Sequence, residues 1–104
     1  MHFNDDYNQD HVAAHTLCKT AARHCKNLLM YQSNGYQLSI PYYPSIFLDI
    51  SEFASKKYEA LKNYGNQHNR FGKLFEIVME RNKIWGYANK VEYAESFVPI
   101  KTLM

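Results

Sequence analysis

An α/β layered fold is what this chain predicts, from an amphipathic helical stripe near its start, two short apolar runs suited to buried strands, and helical patterns following the second run. Ala14, Leu17, Cys18, Ala21 and Cys25 recur at spacings of three and four, so residues 11–24 are expected to form a helix with that stripe facing the core. Asp10 stands where an N-cap belongs and His11 follows in the first turn. Asn27 ends the pattern, and Leu28, Leu29, Met30 and Tyr31 make a short run suited to a buried strand. Residues 33–44 hold Gly35, Pro41 and Pro44 and read as a loop. Residues 46–50 read as a second strand, after which Ser51 can cap a helix.

That helix places Phe53, Ala54, Tyr58, Leu61 and Tyr64 on one side and Lys56, Glu59 and Lys62 on the other, with Gly65 at its C-cap position. Leu74, Ile77, Val78, Ile84 and Trp85 predict a third helix, its ends blurred by Gly72 and Gly86. Residues 91–100 read as an extended tail broken by Pro99. Two central strands are too few to make a covered parallel sheet. The expectation is therefore a single partial domain over residues 1–104, the later part of a larger fold.

Composition narrows the function. The chain has 104 residues, 46% of them hydrophobic and 15% aromatic, which suits a packed core. Its 12 basic and 10 acidic residues are interspersed and leave a net charge of +2, so no nucleic-acid partner is expected. No apolar run approaches the roughly 18 residues of a membrane span, and the polar, acidic N-terminus does not look like a signal peptide. Cys18 and Cys25, seven residues apart, are expected to be reduced, partly buried thiols in a cytoplasmic protein.

The segment richest in chemistry is Asp6-Tyr7-Asn8-Gln9-Asp10-His11, a hydrogen-bonding run at the entry to the first helix. In α/β proteins ligands gather where a strand gives way to a helix. This run, continuing into Val12-Ala13-Ala14-His15, resembles the second metal motif (HxDH) of the PIG-L/LmbE-type zinc-dependent N-acetylglucosamine deacetylases. Asn27-Leu28-Leu29-Met30-Tyr31-Gln32 and Phe47-Leu48-Asp49-Ile50-Ser51 resemble that family's "LLLYE … FVDIS" strand pair. Lys56-Lys57-Tyr58-Glu59-Ala60-Leu61 resembles its "KK.EAL" helix, and Tyr93-Ala94-Glu95-Ser96-Phe97 the "YAEAF" near its C-terminus. These segments fall in order at compatible spacing. They imply a partial Rossmann-like layered fold, the C-terminal half of such a deacetylase.

The resemblance implies that His11 is one of three zinc ligands, that Asp10 orients Asn8 or His11, and that Asn8 stands where many members carry a catalytic histidine. Asparagine hydrogen-bonds an oxyanion but delivers no proton. Without the family, His11 reads as an ordinary surface or cap residue and Asp10 as a cap worth about 1 kcal/mol. His2 falls where members carry a histidine ending the preceding strand. His15 lies one turn after His11, but HxxxH without an intervening Glu is a weak metal signal, so His15 reads as a packing residue. Glu95 is expected to make a structural hydrogen bond, and Tyr31, Tyr36, Tyr42, Tyr43, Tyr58 and Tyr64 to serve core and interface rather than sugar stacking.

The family's first motif, an Ala-His-Pro-Asp-Asp-Glu run bearing the other ligands and the general base, does not occur in the sequence. The implied activity is removal of the acetyl group from an N-acetylglucosamine-containing substrate, absent in the isolated chain and restored by a missing N-terminal half. A rival reading is a non-enzymatic fragment or interaction module that self-associates through exposed sheet and helix faces. A third is a small metal module built on His2, His11, His15 and Cys18.

Overall fold

The computed structural model describes residues 1–33, 38, 40–64 and 74–104, with Leu74 described in its backbone only. The elements in order are α1 (Gln9–Ala21), β1 (Leu28–Met30), β2 (Ile46–Asp49), a 3-10 turn (Ser51–Phe53), α2 (Ala54–Lys62), α3 (Leu74–Ala88) and β3 (Ala94–Lys101). This is an α/β arrangement whose three strands form one sheet in the order β1-β3-β2. The expected loop positions 34–37 and 39, and the expected cap and helix-end glycines Gly65 and Gly72, lie outside the described residues.

The C-terminal stretch read as a tail is the central strand. β1 pairs antiparallel with β3 through Leu28↔Lys101, Leu29↔Pro99 and Met30↔Val98. Backbone bonds from Ser45 N to Phe97 O (3.1 Å) and from Ile50 N to Tyr93 O (3.0 Å) run in opposite chain directions, so β2 also meets β3 antiparallel. Pro99 does not break the strand, because it removes one N–H and the ladder shifts register beside it, between Leu28 and Leu29. The two strands legible as apolar runs are thus joined by a third into an antiparallel sheet.

The chain divides into two units, the first comprising Met1–Ile46 with Ser96–Met104 and the second Phe47–Glu95. In the first unit, residues 1–3 lie along β1. Tyr31 N donates to Met1 O and Phe3 N to Tyr31 O, both at 2.9 Å, and His2 bridges Tyr31 in parallel register. Phe3 is buried and meets the Tyr42 ring edge-on at 5.0 Å, while Tyr42 Oη donates to Ser96 O at 2.8 Å.

α1 starts before Asp10. Asn8 is extended (φ −96°, ψ 114°), and its side-chain oxygen accepts from Asp10 N and His11 N. Asn8 and Asp10 are equally good caps, but an N-cap needs non-helical backbone, and Asp10 is already inside the first turn. There its charge favours the positive end of the helix dipole. The inward face also differs from the predicted stripe. His15 is buried and His11, Ala14 and Ala22 are half-buried, whereas Leu17 is 70% exposed and Cys18 and Cys25 are exposed. The imidazole of His15 tolerates the interior because Nδ1 meets His2 O at 2.9 Å.

In the second unit Ile50, Ala54, Phe75 and Ala94 are buried. Ser51 does not cap α2. Its hydroxyl donates to Asp49 Oδ1 at 2.6 Å and accepts from Glu92 N (3.2 Å) and Tyr93 N (3.1 Å), tying the end of β2 to the approach to β3. Bonds from the Ser51 hydroxyl and backbone N–H hold the exposed Asp49 carboxyl below its ordinary pKa. Lys57 Nζ donates to Asn82 Oδ1 (2.7 Å) and Glu95 Oε1 (2.6 Å), and the buried Asn82 donates from Nδ2 to Ala94 O (3.0 Å).

Gly86 lies within α3 rather than beyond it. A Cβ there would come within 2.5 Å of Glu92 O, so only glycine admits the returning chain. Lys90 then reverses the chain at φ 61°, with Val91 N bonded to Gly86 O at 3.0 Å. Among the described residues no helix is long and apolar enough to cross a membrane.

Candidate functional site

The first unit gathers His2, Asp6, His11 and Tyr31 into one cluster. Residues 1–3 carry His2 alongside Tyr31, and the α1 cap turns the chain so that Asp6 faces the first helical turn. Asp6 is almost wholly buried, its side chain 2% exposed against 17% for His11. Oδ1 accepts from Asn8 N at 2.8 Å, and Oδ2 lies 2.7 Å from His11 Nδ1. An N–O distance this short marks a charge-assisted bond. With the carboxylate ionised, Nδ1 carries the proton of the neutral imidazole and the lone pair falls to Nε2.

His2 lies flat on His11, with ring centroids 4.2 Å apart and planes 13° from parallel. Its Nε2 is 3.1 Å from Tyr31 Oη, and the two rings are tilted at 47° with centroids 4.8 Å apart. Burial lowers the His2 pKa, and His11 lowers it further against a smaller upward pull from Asp6. Burial raises the Tyr31 pKa, with a further upward push from Cys18. His2 Nδ1 is buried and has no hydrogen-bond partner among the described residues.

The expected site residues separate on inspection. His11 stands at the mouth of α1, partly exposed and held by a carboxylate. Asn8 commits its amide oxygen to Asp10 N at 2.9 Å and His11 N at 3.4 Å, which leaves any contact with a reacting group to its amide N–H bonds. Asp10 is exposed on the first turn, and Asp6, not Asp10, orients the imidazole. The reason is geometric: a residue adjacent to His11 in a helix points roughly 100° away from it, whereas the extended chain ahead of the cap folds Asp6 back onto the ring. An acid just upstream of an Asn cap was the signal for it.

Zinc fits this donor set only in part. His11, with Nδ1 held by Asp6, has the arrangement of a single imidazole ligand. Among the described residues no group of three or more His, Cys, Asp or Glu side chains could hold a metal ion. The in-plane lone pairs of the parallel His2 and His11 rings do not converge on one point, and Cys18 is exposed. A self-contained module on His2, His11, His15 and Cys18 finds no support in this geometry.

The second unit holds a separate open groove of about 310 Å³, lined by Ile50, Phe53, Lys56, Lys57, Ala60 and Glu95. None of the expected site residues lines it.

No protein-family model matches the sequence, and no curated protein matches it. The fold is similar to the crystal structure of the conserved protein TT1542 from Thermus thermophilus, with a TM-score of 0.78 and 25% sequence identity. The match covers 99% of this chain and 51% of that one, so the chain spans about half the length of the protein it resembles.

Proposed function

We propose that this chain supplies the His11 portion of a zinc-dependent deacetylase site of PIG-L/LmbE type, acting on the N-acetyl group of a glucosamine-containing substrate. The observation that carries the reading is the Asp6–His11 pair at 2.7 Å. The ordered run of family-like segments supports it, and the likeness to half of a longer protein supports only its being a portion of a larger fold. Zinc, when bound, supplies Lewis-acid polarisation of the acetamide carbonyl. Asp6 fixes the tautomer of His11 and leaves Nε2 as the ligating nitrogen. The Asn8 amide stabilises negative charge on the substrate oxygen through its N–H bonds and provides no proton.

One imidazole does not make a catalytic zinc site, so the isolated chain is inactive in this reading. Calorimetric titration with zinc should show only weak binding by the chain alone. Mixing with a polypeptide that carries the Ala-His-Pro-Asp-Asp-Glu run should give stoichiometric zinc and acetate release from an N-acetylglucosamine conjugate, both lost in His11→Ala. Tight one-site binding by the isolated chain, or a loaded mixture that releases no acetate, would overturn the proposal.

A second reading, a non-enzymatic association module, draws on apolar side chains left in solvent. Leu17 is 70% exposed in the first unit, and in the second Phe53, Ile77 and Ile84 are 59%, 51% and 65% exposed. A concentration-dependent oligomer that takes up no zinc with the complementary half would favour it.

A further inference from the structure

Asp6 bonds the His11 ring through Nδ1. A hydrogen bond through Nδ1 selects the protonated nitrogen, but a single bond does not fix the plane of the ring that carries Nε2. The structure contains a second constraint. The imidazole of His2 covers one face of His11 at 4.2 Å with only 13° between planes.

His2 is itself fixed from three directions. Its backbone bridges Tyr31, its carbonyl meets His15 Nδ1 at 2.9 Å, and its Nε2 meets Tyr31 Oη at 3.1 Å. Held this way, its Nδ1 is buried with no partner among the described residues. That unsatisfied nitrogen is a cost, and the ring that bears it lies nearly parallel on His11. What the arrangement secures is the plane of the ring beneath.

Resting on the reading of His11 as the working imidazole, we propose that His2 and Tyr31 are positioning residues: Tyr31 holds the edge of His2, and His2 clamps the plane of His11 so that Nε2 keeps one direction. Asp6 sets which nitrogen bears the proton, and the stack sets where the other nitrogen points. Three groups thus define one lone pair.

Nitrogen–proton correlation NMR of the chain, recorded at alkaline pH with imidazoles neutral, reads the tautomer and ring averaging of each histidine. Wild type should show His11 as one Nδ1-protonated form. In His2→Ala the His11 ring should stay Nδ1-protonated through Asp6 while its signals broaden and average as the plane pivots, and His2→Phe, which restores the aromatic face without the Tyr31 bond, should narrow them in part. Tyr31→Phe should release His2 and partly release His11. With the complementary half present, zinc affinity should fall on the order of 10–100-fold in His2→Ala and by less in His2→Phe.

A folded His2→Ala chain with unchanged His11 signals, or a folded His2→Phe chain whose His11 signals are no narrower than those of His2→Ala, would overturn the clamp. Should His2→Ala not fold, unchanged rings in Tyr31→Phe would do the same. The NMR result needs no zinc and no substrate. A clamp that is present while the assembled halves release no acetate refutes the deacetylase reading alone.

Discussion

Asp6 and His11 show how a side chain acquires a role from where the backbone folds it. Buried carboxylates are costly unless bonded, and this one is satisfied twice, by Asn8 N and by His11 Nδ1. His2 carries the pH signature of the cluster. Its pKa is lowered in the folded protein, first by burial and then by His11, so the unfolded chain binds the proton at higher pH. Stability is therefore full above the ordinary imidazole value of about 6.5 and declines as pH falls from there towards the folded value. Thermal melts of the chain should show this decline as pH falls below about 6.5, and His2→Phe should flatten it. An equal slope in both proteins would show that other groups dominate acid sensitivity.

Helices and strands make their own predictions, which concern ends and crossings. Asn8→Ala removes the α1 cap and should cost about 1 kcal/mol by chemical denaturation, while Asp10→Ala should cost less, because only a dipole interaction is lost. Gly86→Ala should destabilise by about 1–3 kcal/mol despite the better helix propensity of alanine. The obstacle is the Glu92 backbone, which cannot swing aside as a side chain would. Lys90→Gly should stabilise by about 0.5–1 kcal/mol, since a non-glycine residue at φ 61° carries left-handed strain. A loss of stability there would show that the Lys90 side chain makes a contact outweighing that strain.

Association belongs to the whole molecule. The exposed Leu17 lies on the α1 stripe that the sequence had directed inward. Leu17→Asp should leave the melting free energy within about 0.5 kcal/mol of wild type, because no packed contact is lost. If that stripe drives self-association, sedimentation velocity should show the concentration-dependent species disappear in Leu17→Asp. Persistence of the oligomer would place its interface elsewhere.

Local chemistry in the sequence was enough for the helices, for β1 and β2, for the α/β class and for His11 at the entry to α1. Periodicity and apolar runs are short-range signals, legible without knowing neighbours. The tertiary structure decided what depends on partners distant along the chain. Pro99 reads as a break in isolation, yet β1 and β2 on either side hold its strand at the centre of the sheet. Gly86 reads as a helix end until the backbone at Glu92 is placed against it. Asp6 looked like one acid among several until the turn at Asn8 brought it to His11, and Tyr31 looked like core until His2 was laid beside it. Propensity is set by a residue and its near neighbours, whereas burial, register and hydrogen-bond partners are set only when separated segments meet.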